Sequence, residues 1–203
     1  MGFYEDRILP HIIELTCGAK PLRKLRDQTC AGLTGEVLEV GFGSGLNVDH
    51  YPSEVTSVSA VEPADVGWRM AAKRVSSSPV RIERTGLDGQ SLPFADARFD
   101  SAVSTFTLCT IPDANAALRE IHRVLKPGAR LHFLEHGLAP DEKVQRFQRR
   151  WEPIQNRVAG GCSVTRPIVE MIRGAGFTID AVDSFYGKGP KGLSAFSIGT
   201  ASA

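Results

Sequence analysis

Val37-Leu38-Glu39-Val40-Gly41-Phe42-Gly43-Ser44-Gly45-Leu46-Asn47 decides the fold. Four strand-prone residues run straight into three glycines on alternate positions. Glycines there let the backbone turn tightly and let a ligand lie against the main chain. The next strand-like run, Val55 to Val61, ends in Glu62, which follows Gly41 by 21 residues. From that place a carboxylate reaches ribose hydroxyls in nucleotide-binding α/β folds. A dinucleotide fold asks for G-x-G-x-x-G. Here the glycines fall as G-x-G-x-G, and Leu46 takes the sixth position. Glu39 puts a second carboxylate at the loop mouth, unwelcome beside a pyrophosphate. It suits a cationic ligand with an ammonium and a sulfonium, which argues against a nicotinamide oxidoreductase.

Working outward, Val80–Ile82, Phe99–Thr105 and Arg130–Leu134 read as three more strands. A helix is predicted from Asp113 to Lys126, because Ala114, Ala117, Leu118, Ile121, Val124 and Leu125 follow the helical period. Asp113 is its expected cap and Pro127-Gly128 its stop. Strands alternating with helices predict a mostly parallel sheet in an α/β sandwich. Upstream, Ile8, Leu9, Ile12, Ile13 and Leu15 form a helical stripe ended by Gly18, and Pro21 opens a second helix. Downstream, Asp141 to Arg157 is a basic helix broken by Gly160-Gly161. Ile168 to Ile172 is a short helix closed by Gly174 and Gly176. Phe177–Val182 and Ala195–Ile198 are expected to form a hairpin at one sheet edge.

The chain has 203 residues, enough for one full core. Its 24 Lys and Arg nearly balance 23 Asp and Glu. That excludes global disorder and a strongly basic nucleic-acid binder. No apolar run is long enough for a transmembrane helix. Met1 to Arg7 is acidic and reads as no secretory leader. Cys17, Cys30, Cys109 and Cys162 are far apart with no CxxC pair, so neither a metal nor a disulfide framework is expected. Free thiols point to a reducing cytoplasm. His11, His50, His122 and His132 have no metal-site spacing.

The residues carry a resemblance. From about Gly35 to Ile198 the chain resembles class I S-adenosylmethionine-dependent methyltransferases. The matching pieces are Glu39-x-Gly-x-Gly-x-Gly45, Val61-Glu-Pro63, Asp88-Gly-Gln-Ser-Leu-Pro-Phe94, Phe99-Asp100 and Leu118-Arg-Glu-Ile-His-Arg-Val-Leu-Lys-Pro-Gly128. The resemblance implies a Rossmann-like α/β fold with a seven-stranded, mostly parallel sheet sandwiched by helices, the last strand antiparallel. It implies one domain over 1–203: a helical cap (1–30), a cofactor-binding half (35–136) and an acceptor-side half (138–203). The implied cofactor is S-adenosyl-L-methionine, cradled by Gly41, Phe42, Gly43, Gly45 and Asn47. Glu39 would lie near the methionyl amino group, and Glu62 beside Pro63 would take both ribose hydroxyls. Asp88 and Gly89 would approach the adenine amine, and Ser104 and Thr105 would lie under the methionyl end. Tyr4, ahead of the first helix, would close over that same end.

A narrower similarity is to a bacterial subgroup akin to the animal methyltransferase-like proteins that methylate alkyl thiols. It rests on Cys109-Thr-Ile-Pro-Asp113, Glu135-His-Gly137 and Ala159-Gly-Gly-Cys162 followed by Arg166. That subgroup has His and Asn around Gly-Gly-Cys, where this chain has Ser163-Val-Thr165. The animal proteins also carry a long N-terminal membrane anchor, and none is expected ahead of the first helix here.

A sulfonium donor brings its own leaving group, so the protein need only align an acceptor and exclude water. A thiol acceptor would benefit from a neutral imidazole, and His136 is the candidate base. Its alternative role is a hydrogen bond to loop backbone. Cys109 and Cys162 line the acceptor side or simply pack. Arg166 binds an acidic acceptor or makes a surface salt bridge. Trp151 and its basic neighbours form a solvated helix face or a peripheral contact with a membrane. The acceptor is a small molecule, with a thiol the first expectation and a phospholipid, quinone or other phenol or amine the second. A cofactor-binding module without chemistry is a separate alternative. Oligomeric state is not legible here.

Overall fold

The computed structural model describes residues 9–203, so Tyr4 lies outside the described residues. All seven strands form one sheet in the order β3-β2-β1-β4-β5-β7-β6. They are β1 (Gly35–Val40), β2 (Val55–Val61), β3 (Arg81–Gly86), β4 (Phe99–Thr105), β5 (Leu125–His136), β6 (Thr178–Tyr186) and β7 (Ala195–Ser202). Strand β7 runs antiparallel to both β5 and β6, and the pairs among β1 to β5 are all parallel. This is the expected mostly parallel α/β sheet, with the late hairpin at one edge.

The helices are α1 (Leu9–Cys17), α2 (Lys20–Cys30), α3 (Asp65–Ser77), α4 (Ala114–Val124), α5 (Glu142–Val158) and α6 (Ile168–Gly174). Alternate residues of β1 enter two separate cores, as the strand period requires. Leu38 and Val40 join Leu118, Ile121, Phe133 and Ile172 on the face covered by α4 and α6. Val37 joins Cys30, Leu33, Val58 and Val103 on the face covered by α2. Glu39 and Thr105 share the parity of Val37 and Val103, which directs both toward α2.

Strands β1 and β4 pair from Val37–Ser101 to Val40–Ser104. The chain leaves β1 toward β2 on one side and resumes at β4 on the other. The cleft between their carboxyl ends is therefore the topological switch point, where ligands bind in open α/β sheets.

Several boundaries differ from expectation. Helix α4 stops at Val124, before Lys126. A residue preceding proline is driven out of the helical region, and Leu125 is already extended. The same bend extends β5 back to Leu125, where it pairs with Phe99. Strands β3 and β6 are longer than their apolar runs because both are edge strands with solvent-facing residues.

Candidate active site

The glycine loop follows β1 directly. Gly41, Gly43 and Gly45 have φ of +79°, +56° and +75°, the left-handed region that favours glycine. A Cβ on Gly41 would collide with the Thr107 side chain, so that glycine packs the loop against the β4 exit. A Cβ on Gly43 would meet nothing within 4 Å. The loop is thus tightly held behind and open in front. Gly67 of α3 brings that helix in behind, a Cβ there lying 3.2 Å from the Gly43 carbonyl oxygen.

Glu62 sits at the end of β2 beside the loop. Its Oε2 accepts from Gly43 N at 2.6 Å and its Oε1 from Ala64 N at 2.7 Å. Burial raises its pKa, and the two amide donors oppose that rise. Pro63 gives its carbonyl to Arg84 Nη2 at 3.2 Å. Asp88 is exposed beyond β3, with Oδ1 accepting from Gln90 N at 2.8 Å. Hydrogen bonds from Gln90 hold its carboxyl below the usual range. Gly89 closes against β1, where a Cβ would lie 3.0 Å from Val40.

A polar cluster fills the floor between β1, β4 and α2. Glu39 is buried and accepts from Asn47 Nδ2 at 2.9 Å and from the Tyr51 hydroxyl. Burial pushes its carboxyl up to about 7. Asn47 also donates to Thr105 Oγ1 at 3.1 Å. Arg26 of α2 completes the cluster, donating from Nη1 to Asn47 Oδ1 at 2.7 Å and to Thr105 Oγ1 at 2.9 Å. Arg26 is only 4% exposed, its Nε has no partner, and no carboxylate of the described residues pairs with it. A buried guanidinium without a counter-ion is costly unless a ligand supplies one. A cavity of about 60 Å³ reaches Arg26 between Gly18, Leu46, His50 and Arg74. Phe42 points the other way, into a cluster with Val48, Ala60 and Ala71.

Across the cleft, Glu135 braces the loop after β4. It accepts from Ser104 Oγ at 2.7 Å, Thr107 N at 2.9 Å and Leu108 N at 3.0 Å. Burial pushes it up to about 7 against those bonds. Next to it, His136 Nδ1 lies 3.7 Å from Cys162 Sγ, and its buried Nε2 has no partner. The thiol of Cys109 donates to Phe106 O at 3.7 Å. Cys162 beside it holds Cys109 above the ordinary thiol range, and Cys109 in turn holds Cys162 below it. His136 adds to the lowering of Cys162. Ser163 N donates to Cys109 O at 2.8 Å and fixes the two segments together. Arg166 is spent on carbonyl oxygens, those of Leu108, Ile111 and Pro112.

The structure thus gathers Glu39, Asn47, Glu62, Ser104, Thr105, Cys109, His136 and Cys162 around one sheet edge. Arg26, Tyr51, Thr107 and Glu135 were not expected there. Glu135 had a legible signal, an acid ending the apolar strand run Leu131-His-Phe-Leu134, where it must find partners. Among the described residues no cluster of three metal-ligating side chains occurs. No described helix is long and apolar enough to cross a membrane.

Residues 38–133 match the family model described as "Methyltransferase domain". The chain is 32% identical over 153 residues to rat thiol S-methyltransferase TMT1B, covering 72% of this chain and 62% of that protein. It is 30% identical over 157 residues to human thiol S-methyltransferase TMT1A, covering 74% of this chain and 64% of that protein. The chain therefore spans less than two thirds of the length of these relatives. In fold it is similar to a Thermotoga maritima structure titled as an S-adenosylmethionine-dependent methyltransferase, possibly a histamine N-methyltransferase. That match has a TM-score of 0.69 at 20% identity and covers 98% of this chain and 97% of that one. The loop geometry, the strand order and these likenesses agree: residues 38–133 match a methyltransferase domain, and the chain has the Rossmann-like fold of class I methyltransferases.

Proposed function

We propose that the chain transfers the methyl group of S-adenosyl-L-methionine to a small, fairly apolar thiol. The observation that carries this reading is the glycine cradle, open in front of Gly43 and flanked by Glu62 on one side and the unpaired Arg26 on the other. These residues fit the donor. Glu62 has lone pairs left for two ribose hydroxyls after serving two amides. Asp88 and Gly89 stand at the adenine end. Arg26 supplies the cation for the methionyl carboxylate, and Glu39 fixes Asn47 and Tyr51 beneath it. Room for that end requires the turn between α1 and α2 to lift, since the cavity at Arg26 is far smaller than a typical ligand pocket.

When bound, the donor supplies an activated methyl on a sulfonium whose thioether departs unaided. The chain's own residues deal with the acceptor. An imidazole that donates from Nδ1 to Cys162 Sγ carries its lone pair on Nε2, the nitrogen without a partner. His136 Nε2 takes the thiol proton there. Glu135 holds the loop that carries Cys109, so one wall of the acceptor site is fixed from below. The thiol acceptor is supported by the activity for which the rat and human relatives are named. Cys17, Cys30, Cys109 and Cys162 are all free thiols, which fits the reducing cytoplasm.

The test is a panel of small thiols, phenols, amines and phospholipids, read by release of S-adenosylhomocysteine. Turnover is expected with thiols, and His136→Ala is expected to lower it at least tenfold at unchanged S-adenosylhomocysteine affinity. Turnover confined to phenols, amines or phospholipids would replace the acceptor. Binding without turnover on any acceptor would make the chain a cofactor-binding module.

A further inference from the structure

Helix α5 carries a face that methyl transfer does not use. Phe147, Trp151 and Ile154 recur at helical spacing and lie within an arc of about 60°. They are 46%, 46% and 54% exposed. The Phe147 and Trp151 rings touch at 5.8 Å. Phe147 also covers Gly192, next to the 43% exposed Leu193. The helix is anchored from a different side, where buried Gln148 donates to Gly137 O at 3.1 Å and Gly192 O at 3.2 Å. The apolar stripe is therefore held outward.

One flank of the stripe is cationic. Lys143, Arg146, Arg150 and Arg157 follow one another along it, while the chain as a whole carries a formal charge of only +1. No described carboxylate pairs with any of the four. The helix's own acids lie apart: Glu142 is in the first turn, and Glu152 is bonded to Ser163. Lys191 extends the basic rim beyond Leu193, stacking on Tyr186 at 4.8 Å. Aromatic and aliphatic side chains bordered by unpaired cations match an acyl boundary bordered by anionic headgroups.

We infer that α5 docks the protein on an anionic bilayer surface, with Phe147, Trp151 and Ile154 entering the headgroup boundary and the arginine flank facing lipid phosphates. A second copy of the chain fits this face less well, because apposed stripes would bring two unpaired cationic flanks together. The docking has a consequence for the site. Helix α5 runs directly into Gly160-Gly161-Cys162, and Cys162 touches His136. An apolar acceptor dissolved in lipid would then meet the cleft from the membrane side. The surface itself stands apart from the methyl-transfer reading, since vesicle binding is measured without cofactor or acceptor.

The experiment is cosedimentation of the full chain with vesicles of phosphatidylcholine alone and of phosphatidylcholine mixed with phosphatidylglycerol, alongside tryptophan emission. Binding is expected to the anionic vesicles, with a blue shift that Trp151→Ser removes, and to weaken as salt is added. Trp151→Ser/Ile154→Ser and Arg146→Glu/Arg150→Glu are each expected to cut binding at least tenfold. All four positions are exposed, and an unchanged thermal melt shows that the variants fold. No binding by the wild type overturns the inference, as does binding untouched by either double substitution. A dimer that Trp151→Ser dissociates, in a protein that ignores both vesicles, would assign the face to a second copy instead.

Discussion

Arg26 Nη1 lies 2.7 Å from Asn47 Oδ1, so a cation on α2 grips the last residue of the glycine loop. The contact joins the helical cap to the cradle and leaves a buried guanidinium with only neutral partners. Arg26→Lys keeps the charge and loses the fork that holds a carboxylate at two points. S-adenosylhomocysteine affinity is expected to fall roughly tenfold. Affinity for methylthioadenosine, which has no amino-acid end, should be unchanged. Calorimetry with both ligands separates this role from a general loosening of the loop, which would weaken both alike.

The glycines of the loop divide by what stands before them. Gly41→Ala places a methyl inside the Thr107 side chain at a positive φ, and should destabilise by about 2–4 kcal/mol. Gly43→Ala pays only the backbone penalty, about 1–2 kcal/mol, because nothing faces its Cβ. Its methyl would enter the space assigned to the donor, so it should abolish cofactor binding in a folded protein. Thermal melts and calorimetry on the two variants check this. A folded Gly43→Ala protein with full affinity would show that the donor lies elsewhere.

Two buried acids give the fold an unusual pH response. Burial raises Glu39 and Glu135 to about 7, above the ordinary 4.5. Between those values the folded chain binds more protons than the unfolded one. Their contribution to stability is therefore full below about pH 4.5 and is lost as pH rises through about 7, by at most about 1.4 kcal/mol per pH unit for each. His132, held below its ordinary value by burial, acts in the opposite sense. The comparison of wild type with Glu135→Gln removes that background. Urea midpoints measured from about pH 5 to pH 7 should decline more steeply in the wild type. Parallel slopes would show that Glu135 is not protonated in the fold.

The thiols differ in reactivity. Cys162 is lowered by Cys109 and His136, whereas burial raises the Cys30 thiol well above its ordinary range, beyond reach of neutral-pH chemistry. Iodoacetamide near neutral pH should label Cys162 first, with Cys30 and Cys109 protected. His136→Ala should slow that labelling about tenfold. Peptide mass mapping reads the order, and labelling of Cys109 ahead of Cys162 would reverse the assigned pair.

Much of this was legible in the sequence, for reasons that can be named. The alternate glycines after Val37–Val40 permit left-handed backbone and a close ligand, and so marked the cradle. Asp113 read as a cap because its side chain was the only acceptor placed for the first turn, and it does accept from Ala116 N at 2.9 Å. Arg26 was hidden because arginines on a helix usually face water, and nothing in Arg23-Lys-Leu-Arg26 shows which one turns inward. Glu39 and Phe42 show the same gap. Their place beside the glycines is written in the chain, but only packing shows that Glu39 serves Asn47 and Tyr51 and that Phe42 joins Ala60 and Ala71. Acceptor-side residues lie far apart in sequence, at 109, 136 and 162, so no local pattern announces that their side chains meet.

The cradle itself is tested most directly by titrating the protein with S-adenosylhomocysteine and with NAD, and repeating the first titration on Glu62→Ala. Micromolar binding of the nucleoside thioether is expected, with no binding of NAD and a loss of about 30-fold or more in the variant as two ribose hydroxyls lose a charged partner. NAD binding without S-adenosylhomocysteine binding would contradict the account.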